Sequence, residues 1–93
     1  MKVYIAGKIT DNENYKAQFE SAARQIEALG NIVLNPAVLP EGMTPKDYMR
    51  ICFAMIDVAD VCAFLPDWGE SRSARLERAY CEYIGKRTET WKG

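Results

Sequence analysis

The run from Val61 to Leu65 constrains the fold of this chain more than any other feature. It is short and apolar, and it lacks the alternation of apolar and polar residues that marks a strand with one face in water. Pro66 ends the run, residues 67–70 have the composition of a turn, and Ser71 can cap a helix that continues to Ile84. The stretch therefore predicts a strand buried on both faces, a tight loop and a helix.

Two more pairs of strand and helix come before this stretch. Residues 2–6 and 31–34 predict the first two strands. Apolar residues at helical spacing from Tyr15 to Leu29 predict a helix between them, which Asn12 or Asn14 can cap. Strands that alternate with helices predict right-handed crossovers and a sandwich of three layers around a parallel sheet.

The second helix predicts an assembly of more than one chain. Thr44 can cap it, and Pro45 and Asp47 suit its first turn. Nearly every residue from Tyr48 to Ile56 is apolar, so we expect a helix that ends at Asp57 and is buried all round. A chain of 93 residues has nothing of its own to cover the second face of such a helix. This pattern therefore predicts a homo-oligomer, either a dimer or a larger assembly.

The last residues of the chain leave two interpretations open. Residues 86–91 alternate weakly and fit either a short edge strand guarded by charges or a frayed tail. Together the segments predict a single α/β domain over residues 1–93, a three-layer sandwich of Rossmann-like or flavodoxin-like type. Its short parallel sheet is expected to have the order 2-1-3, with any fourth strand at the edge and helices on both faces.

Composition excludes several classes of function. The net charge is −1, which gives no electrostatic basis for binding nucleic acid or an anionic membrane. The absence of histidine excludes Ser-His and Cys-His nucleophile pairs and most zinc sites. The three cysteines lack Cys-x-x-Cys spacing, as expected of buried free thiols. We expect a cytoplasmic protein without a membrane span, metal or cofactor, whose acid–base groups are carboxylates, tyrosine, lysine or water.

Candidate site residues collect where the strands end. The loops beyond the carboxyl ends of parallel strands meet at one edge of the sheet, where ligands bind. These loops and their flanks contribute Tyr4, Gly7, Lys8, Asn35, Asp67, Trp68, Ser71 and Glu77. The pair Gly7-Lys8 does not make a phosphate loop, because Lys2 stands where the first glycine belongs and Ile9 follows the lysine. Asn35 can bind a ligand or, with the proline after it, simply make a turn.

Two segments carry short motifs whose order and spacing are specific. The first is Val3-Tyr4-Ile5-Ala6-Gly7-Lys8-Ile9. The second is Ala59-Asp60, then Phe64-Leu65-Pro66-Asp67-Trp68, then Ser71, Ala74, Glu77 and Ala79. Together they resemble the nucleoside 2-deoxyribosyltransferase-like family over nearly the whole chain. The resemblance is greatest to a small bacterial and phage branch that is catalogued as a domain of unknown function (DUF4406-like).

This resemblance implies a substrate class and specific roles. Relatives cleave the N-glycosidic bond of a deoxynucleoside or its monophosphate, so the expected partner is a nucleoside or nucleoside monophosphate. Glu77 matches the glutamate that attacks the anomeric carbon, and Tyr4 matches the tyrosine that orients it. Ser71 matches a serine that binds phosphate at a helix start, while Ser73 stands where the family often has glycine. The expected substrate-binding residues are Gly7, Lys8, Ile9, Asn35, Asp67, Trp68, Ser71 and Ser73.

One position departs from the family pattern. Active relatives carry an aspartate eight residues before the position of Asp60, where it donates or relays a proton to the base, and this chain has Cys52 there. A thiol is a poor general acid and a good small core residue. Asp57 and Asp67 are the nearby acids that can compensate. A deoxyribosyltransferase, a deoxynucleoside N-hydrolase, a non-catalytic nucleotide-binding or sensing module and a phage interaction protein therefore all stay open.

Plainer roles also fit several of these residues. Glu77 can be a surface acid paired with a nearby arginine, and Tyr4 can be a core residue. Ser71 caps the helix whatever else it does. Trp68 fits packing or an interface as well as a platform for a base, and Asp60 fits a structural role in holding loop backbone. The arginines of the third helix form a stripe, which fits a solvated face better than a nucleotide clamp. They are Arg72, Arg75 and Arg78.

Overall fold

The computed structural model describes residues 1–92 and confirms the alternation of strands and helices. Short 3-10 turns at Pro36–Val38 and Trp68–Glu70 lie in the loops that follow the second and third strands. In chain order the main elements are β1 (Lys2–Ala6), α1 (Tyr15–Ala28), β2 (Ile32–Leu34), α2 (Pro45–Val58), β3 (Val61–Phe64), α3 (Arg72–Ile84) and β4 (Arg87–Thr90). No helix among these residues has the length and apolar character needed to cross a membrane.

The four strands form one parallel sheet in the order β2-β1-β3-β4. β1 is central, with Tyr4 opposite Leu34 on one side and Cys62 on the other. β4 pairs with β3, so Arg87–Thr90 forms the edge strand and is not a frayed tail. The predicted order 2-1-3 is confirmed, and so is the α/β class with helices on both faces.

Alternate residues of β1 supply two separate cores, because successive side chains of a strand point to opposite faces. Val3 and Ile5 pack against α1, where Phe19 is fully buried. Tyr4 and Ala6 pack on the other face, against α2 and α3. The second core also contains the three free thiols, Cys52, Cys62 and Cys81.

Helix ends follow the capping signals of the sequence closely. The hydroxyl of Thr44 accepts the N–H of Asp47 over 3.2 Å at the start of α2. The hydroxyl of Ser71 accepts the N–H of Ala74 over 3.1 Å at the start of α3, and Gly85 ends that helix with a φ of 74°. These ends matter because they direct the first turns of α2 and α3 to the carboxyl edge of the sheet.

Much of the helix α2 is exposed in the single chain. Only Cys52 and Ile56 are buried, whereas Ile51 is 38% exposed and Val58 is 56% exposed. This exposure agrees with the expectation that a single chain cannot cover both faces of α2, and burial of the second face by another subunit stays a prediction. The helix also extends one residue past Asp57, because Ala59 is the first residue with extended backbone.

Candidate active site

Tyr4 and Glu77 form a hydrogen-bonded pair inside the second core. The phenol of Tyr4 donates to Oε2 of Glu77 over 2.7 Å. The two residues are 1% and 4% exposed, so Glu77 is not a surface acid. Tyr4 comes from the central strand and Glu77 from the second turn of α3. The fold thus brings together the two residues that the resemblance names as orienting group and nucleophile.

Burial changes the ionisation of this pair. It raises the pKa of Glu77 from 4.5 to about 7, and hydrogen bonds from Tyr4 and Cys52 oppose part of that rise. Burial and the neighbouring carboxylate also raise the pKa of Tyr4 well above its usual value, so the phenol stays a donor. Glu77 is therefore divided between acid and carboxylate near neutral pH, which is the range that suits a catalytic carboxyl group.

Cys52 lies beside the pair, at the position for which the resemblance implies an aspartate. The side chain is fully buried, and burial raises its pKa to about 12, so it remains a neutral thiol. Asp57, one of the two acids that could compensate, lies more than a turn further along α2. Its carboxylate accepts the hydroxyl of Tyr80 over 2.6 Å, towards the opposite edge of the sheet. This geometry gives Asp57 no route to a ligand beside Glu77.

A cavity of about 330 Å³ opens at the carboxyl edge of the sheet. Its walls come from the loops after β1 and β2 and from the first turns of all three helices. The lining residues are Ile9, Thr10, Tyr15, Ala37, Leu39, Pro40, Glu41, Gly42, Met43, Pro45, Tyr48, Met49 and Ser73. Ser73 lies one helical turn before Glu77 on the same face of α3, and helical side chains lean towards the N-terminus. Glu77 and Tyr4 themselves do not line the cavity, and Ser73 is the residue of α3 that does.

Asp67 ties the loop after β3 to the loop after β1. Its Oδ1 accepts the backbone N–H of Lys8 and its Oδ2 accepts the side-chain amide of Gln18, both over 3.2 Å. Asn12 reinforces the same corner by donating to the carbonyl of Lys8 over 2.8 Å and to Gln18 over 2.9 Å. The ammonium group of Lys8 lies 3.8 Å from the carboxylate of Glu70. Asp67 and Lys8 are thus engaged within the protein and do not line the cavity.

Gly7 serves close packing at this corner. A β-carbon at Gly7 would come within 3.0 Å of Leu65 and 3.1 Å of Phe19. Gly7 is not among the glycines with positive φ. The absence of a side chain at Gly7 therefore serves the close approach of the backbone to neighbouring side chains.

Ser71 and Ser73 share a hydrogen bond at the start of α3. Their hydroxyl oxygens are 3.1 Å apart, and either can donate. Ser71 is 7% exposed and already caps the helix, whereas Ser73 is half-buried and faces the cavity. Of the two serines, Ser73 is therefore the one that lines the cavity.

Trp68 is engaged in packing at the seam between β3 and α3. Its ring meets Phe64 edge-on with centroids 5.5 Å apart, and the guanidinium of Arg78 lies 5.1 Å from its centroid. These contacts occupy the ring, and Trp68 does not line the cavity. Arg78 also shows that the stripe of arginines is not a uniformly solvated face.

Asn35 and Asp60 have structural contacts. The side-chain oxygen of Asn35 accepts the N–H of Ala37 over 2.9 Å, which is the turn-forming role. Asp60 accepts the N–H of Lys2 over 2.7 Å at the opposite end of the sheet. Asn35 borders a neighbouring groove of about 540 Å³ and does not line the cavity.

Two cavity residues, Tyr48 and Glu41, were missed as site residues by the sequence analysis. The hydroxyl of Tyr48 donates to the carbonyl of Pro36 over 2.8 Å, and burial together with the charges of Cys52 and Glu77 raises its pKa. The spacing of Tyr48 and Cys52, four residues apart on α2, could have indicated a shared face. Nothing in the sequence marks Glu41, because its position depends on the course of the loop after β2.

No group of three or more His, Cys, Asp or Glu side chains within residues 1–92 is arranged to hold a metal ion. The acidic side chains near the cavity have separate partners within the protein: Asp67 has Lys8 and Gln18, Glu41 has Lys16 and Tyr15, and Glu77 has Tyr4.

Comparisons with known proteins give one family match and two similar folds. The family model described as Domain of unknown function (DUF4406) matches residues 1–89. A 2-deoxyribosyltransferase from the psychrotolerant bacterium Bacillus psychrosaccharolyticus superposes with a TM-score of 0.76 at 17% identity, covering 97% of this chain and 71% of that one. The 2-desoxiribosyltransferase from Leishmania mexicana gives the same score and identity, covering 97% of this chain and 63% of that one. No curated protein matches the sequence.

Proposed function

The chain belongs to the DUF4406 family, and on that premise we propose that its cavity binds a nucleoside or nucleoside monophosphate whose deoxyribosyl group reaches Glu77. The fold shared with 2-deoxyribosyltransferases supports a nucleoside as the class of ligand. At 17% sequence identity, the likeness shows a shared fold and no further property. The observation that carries the proposal is the buried pair of Tyr4 and Glu77, whose oxygens are 2.7 Å apart. A carboxyl group held this way behind a cavity wall has no evident structural purpose that an apolar residue would not serve better.

The proposed chemistry is a displacement at the anomeric carbon. An oxygen of the Glu77 carboxylate forms a bond to C1′, and the N-glycosidic bond breaks with its electron pair passing to the base. Water or a second base then attacks C1′ and releases the carboxylate. The role of Tyr4 is to hold the carboxylate in one orientation by its hydrogen bond. The attacking form of Glu77 is the ionised one, so cleavage should increase as pH rises through about 7.

A non-catalytic binding module is the second candidate, and Cys52 is the observation that favours it. A base leaves poorly as an anion, and a neutral buried thiol supplies no proton for it. Asp67 cannot supply that proton either, because both of its oxygens accept hydrogen bonds from Lys8 and Gln18. On this reading the cavity would sense a nucleoside without breaking it.

The replacement Glu77→Gln tests the catalytic proposal and separates it from the binding module. Gln keeps a hydrogen-bond acceptor for Tyr4 but cannot form a glycosyl ester. Ligand binding is measured by thermal shift with 2′-deoxynucleosides and their monophosphates, and cleavage is measured by chromatography of the released base. We expect both proteins to bind and only the wild type to cleave, with a sugar adduct on Glu77 detectable by mass spectrometry.

Other outcomes of this experiment are equally informative. Equal cleavage by wild type and Glu77→Gln would refute the role of Glu77. Binding without cleavage by either protein would support the sensing module. If no nucleoside or monophosphate raises the melting temperature, neither candidate function holds.

A further inference from the structure

The charges around the cavity determine which form of the proposed ligand it admits. Among the lining residues, all within the described range 1–92, Glu41 is the one with a formal charge, and the other polar groups are hydroxyls. The remainder of the wall is largely aliphatic, with methionine, proline, leucine and isoleucine side chains. Such a wall desolvates an ionic ligand without offering it a counter-charge.

The nearest cation to Glu41 is already paired with it. The ammonium group of Lys16 lies 3.3 Å from Oε2 of Glu41, and the hydroxyl of Tyr15 lies 3.4 Å from Oε1. Lys16 borders the neighbouring groove and does not line the cavity. A phosphate entering here would compete with Glu41 for Lys16 and would be repelled by the carboxylate.

The helix starts near the cavity also have few free N–H groups that could bind a phosphate. Pro45 begins α2 without an N–H, and Thr44 accepts the N–H groups of Asp47 and Tyr48. At the start of α3, Ser71 accepts two of the backbone N–H groups, those of Ala74 and Arg75. A capped helix start keeps its dipole but has fewer free N–H groups to direct at an anion.

The cations in the loop after β1 and in the first turn of α3 offer a phosphate no free charge in the cavity either. Lys8 pairs with Glu70 at 3.8 Å, and the guanidinium of Arg75 donates to the carbonyl of Gly69 over 2.8 Å. Arg72, the first residue of α3, is exposed and outside the cavity wall. The phosphate-binding role that the resemblance implies for Ser71 therefore has no prepared cation beside it.

We propose that the cavity takes an uncharged nucleoside and discriminates against its 5′-monophosphate, with Glu41 as the discriminating residue. This inference rests on the proposed function, because it names the form of ligand for the same site. The carboxylate of Glu41 accepts a hydrogen bond from a sugar hydroxyl, which a nucleoside has at its 5′ position and a monophosphate lacks. The hydroxyls of Tyr15, Tyr48 and Ser73 complete the polar contacts, and the aliphatic wall receives the base.

Isothermal titration calorimetry at low ionic strength tests this inference with four 2′-deoxynucleosides and their matched 5′-monophosphates. We expect the wild type to bind its preferred nucleoside at least about tenfold more tightly than the monophosphate, because the cavity wall offers the phosphate no counter-charge and Glu41 repels it. Glu41→Gln should reduce that ratio by about a factor of three, the size expected for a charge that is largely exposed. The matched control Glu27→Gln removes one exposed carboxylate from the far end of α1 and should leave the ratio unchanged.

The outcomes separate this inference from the proposed function. A monophosphate that binds as tightly as the nucleoside, or more tightly, would overturn the inference and leave nucleotide binding intact. A preference for the nucleoside that Glu41→Gln does not alter would overturn the role of Glu41. If no member of either set binds, the proposed function fails and this inference with it.

Discussion

Replacing Glu77 by Gln should change how the stability of the protein depends on pH. The pKa of Glu77 is about 7 in the folded chain and 4.5 when unperturbed, because burial disfavours the carboxylate. Between these two values the folded state holds a proton that the unfolded state has lost. The stability that the protonated group provides is therefore complete below about pH 4.5 and is lost as pH rises to about 7.

The size of the effect follows from the shift in pKa. A difference of about 2.5 units, at about 1.4 kcal/mol for each unit, corresponds to about 3 kcal/mol between the two ends of this range. Gln cannot ionise, so Glu77→Gln should lack this loss. Relative to wild type, the variant should gain about 3 kcal/mol between acidic and mildly alkaline pH, whatever the constant cost of its buried amide.

Urea denaturation at a series of pH values from about 4.5 to 8 measures this difference directly. Glu13→Gln, which removes an exposed carboxyl group, serves as the control for the change in surface charge. If the difference in unfolding free energy between wild type and Glu77→Gln stays constant across the range, Glu77 does not ionise as an isolated buried acid and the reasoning fails. The pKa of Glu77 would then not be raised by burial, and its proposed catalytic role would lack this explanation.

Four further replacements test other parts of the structure. Tyr4→Phe removes a hydrogen bond that lowers the pKa of Glu77, so any cleavage should reach its midpoint at a higher pH, which a rate–pH profile would show. Gly7→Ala should destabilise the fold by about 1–3 kcal/mol in urea titrations, since its β-carbon would lie 3.0 Å from a neighbouring side chain. Cys52→Asp should increase cleavage of natural nucleosides far more than of nitrophenyl deoxyribosides, whose leaving group needs no proton; equal gains on both would contradict a general-acid role. Tyr83, 91% exposed, lies with other exposed apolar residues on α3, so we predict a homo-oligomer by light scattering that Tyr83→Arg dissociates.

The fold was predictable because its signals are local. The unbroken apolar run of β3, the capping residue Ser71 and the stop at Gly85 each act within a few residues. Helix and strand periodicities then imposed a parallel sheet, and crossover geometry left few orders for its strands. Composition does not show which of the two apolar faces of α2 the domain itself covers, and the structure shows that this face contains Cys52 and Ile56.

The site was only partly predictable because its contacts depend on tertiary structure. The resemblance placed Tyr4 beside Glu77, and the fold brings them together. The bonds from Lys8 and Gln18 to Asp67 join residues more than forty positions apart, and no local pattern predicts them. The position of Glu41 in the cavity wall likewise depends on the path of an irregular loop.

The central place of β1 also governs how the chain can fold. β1 needs β2 on one side and β3 on the other, and Val3 lies opposite Val61. No strand of this sheet can pair with its neighbour through a tight hairpin, so each pairing has to close a long loop before it gains any stability. Folding should therefore be slow for a domain of this size, and during synthesis one edge of β1 can pair with β2 while the other stays unpaired until β3 leaves the ribosome.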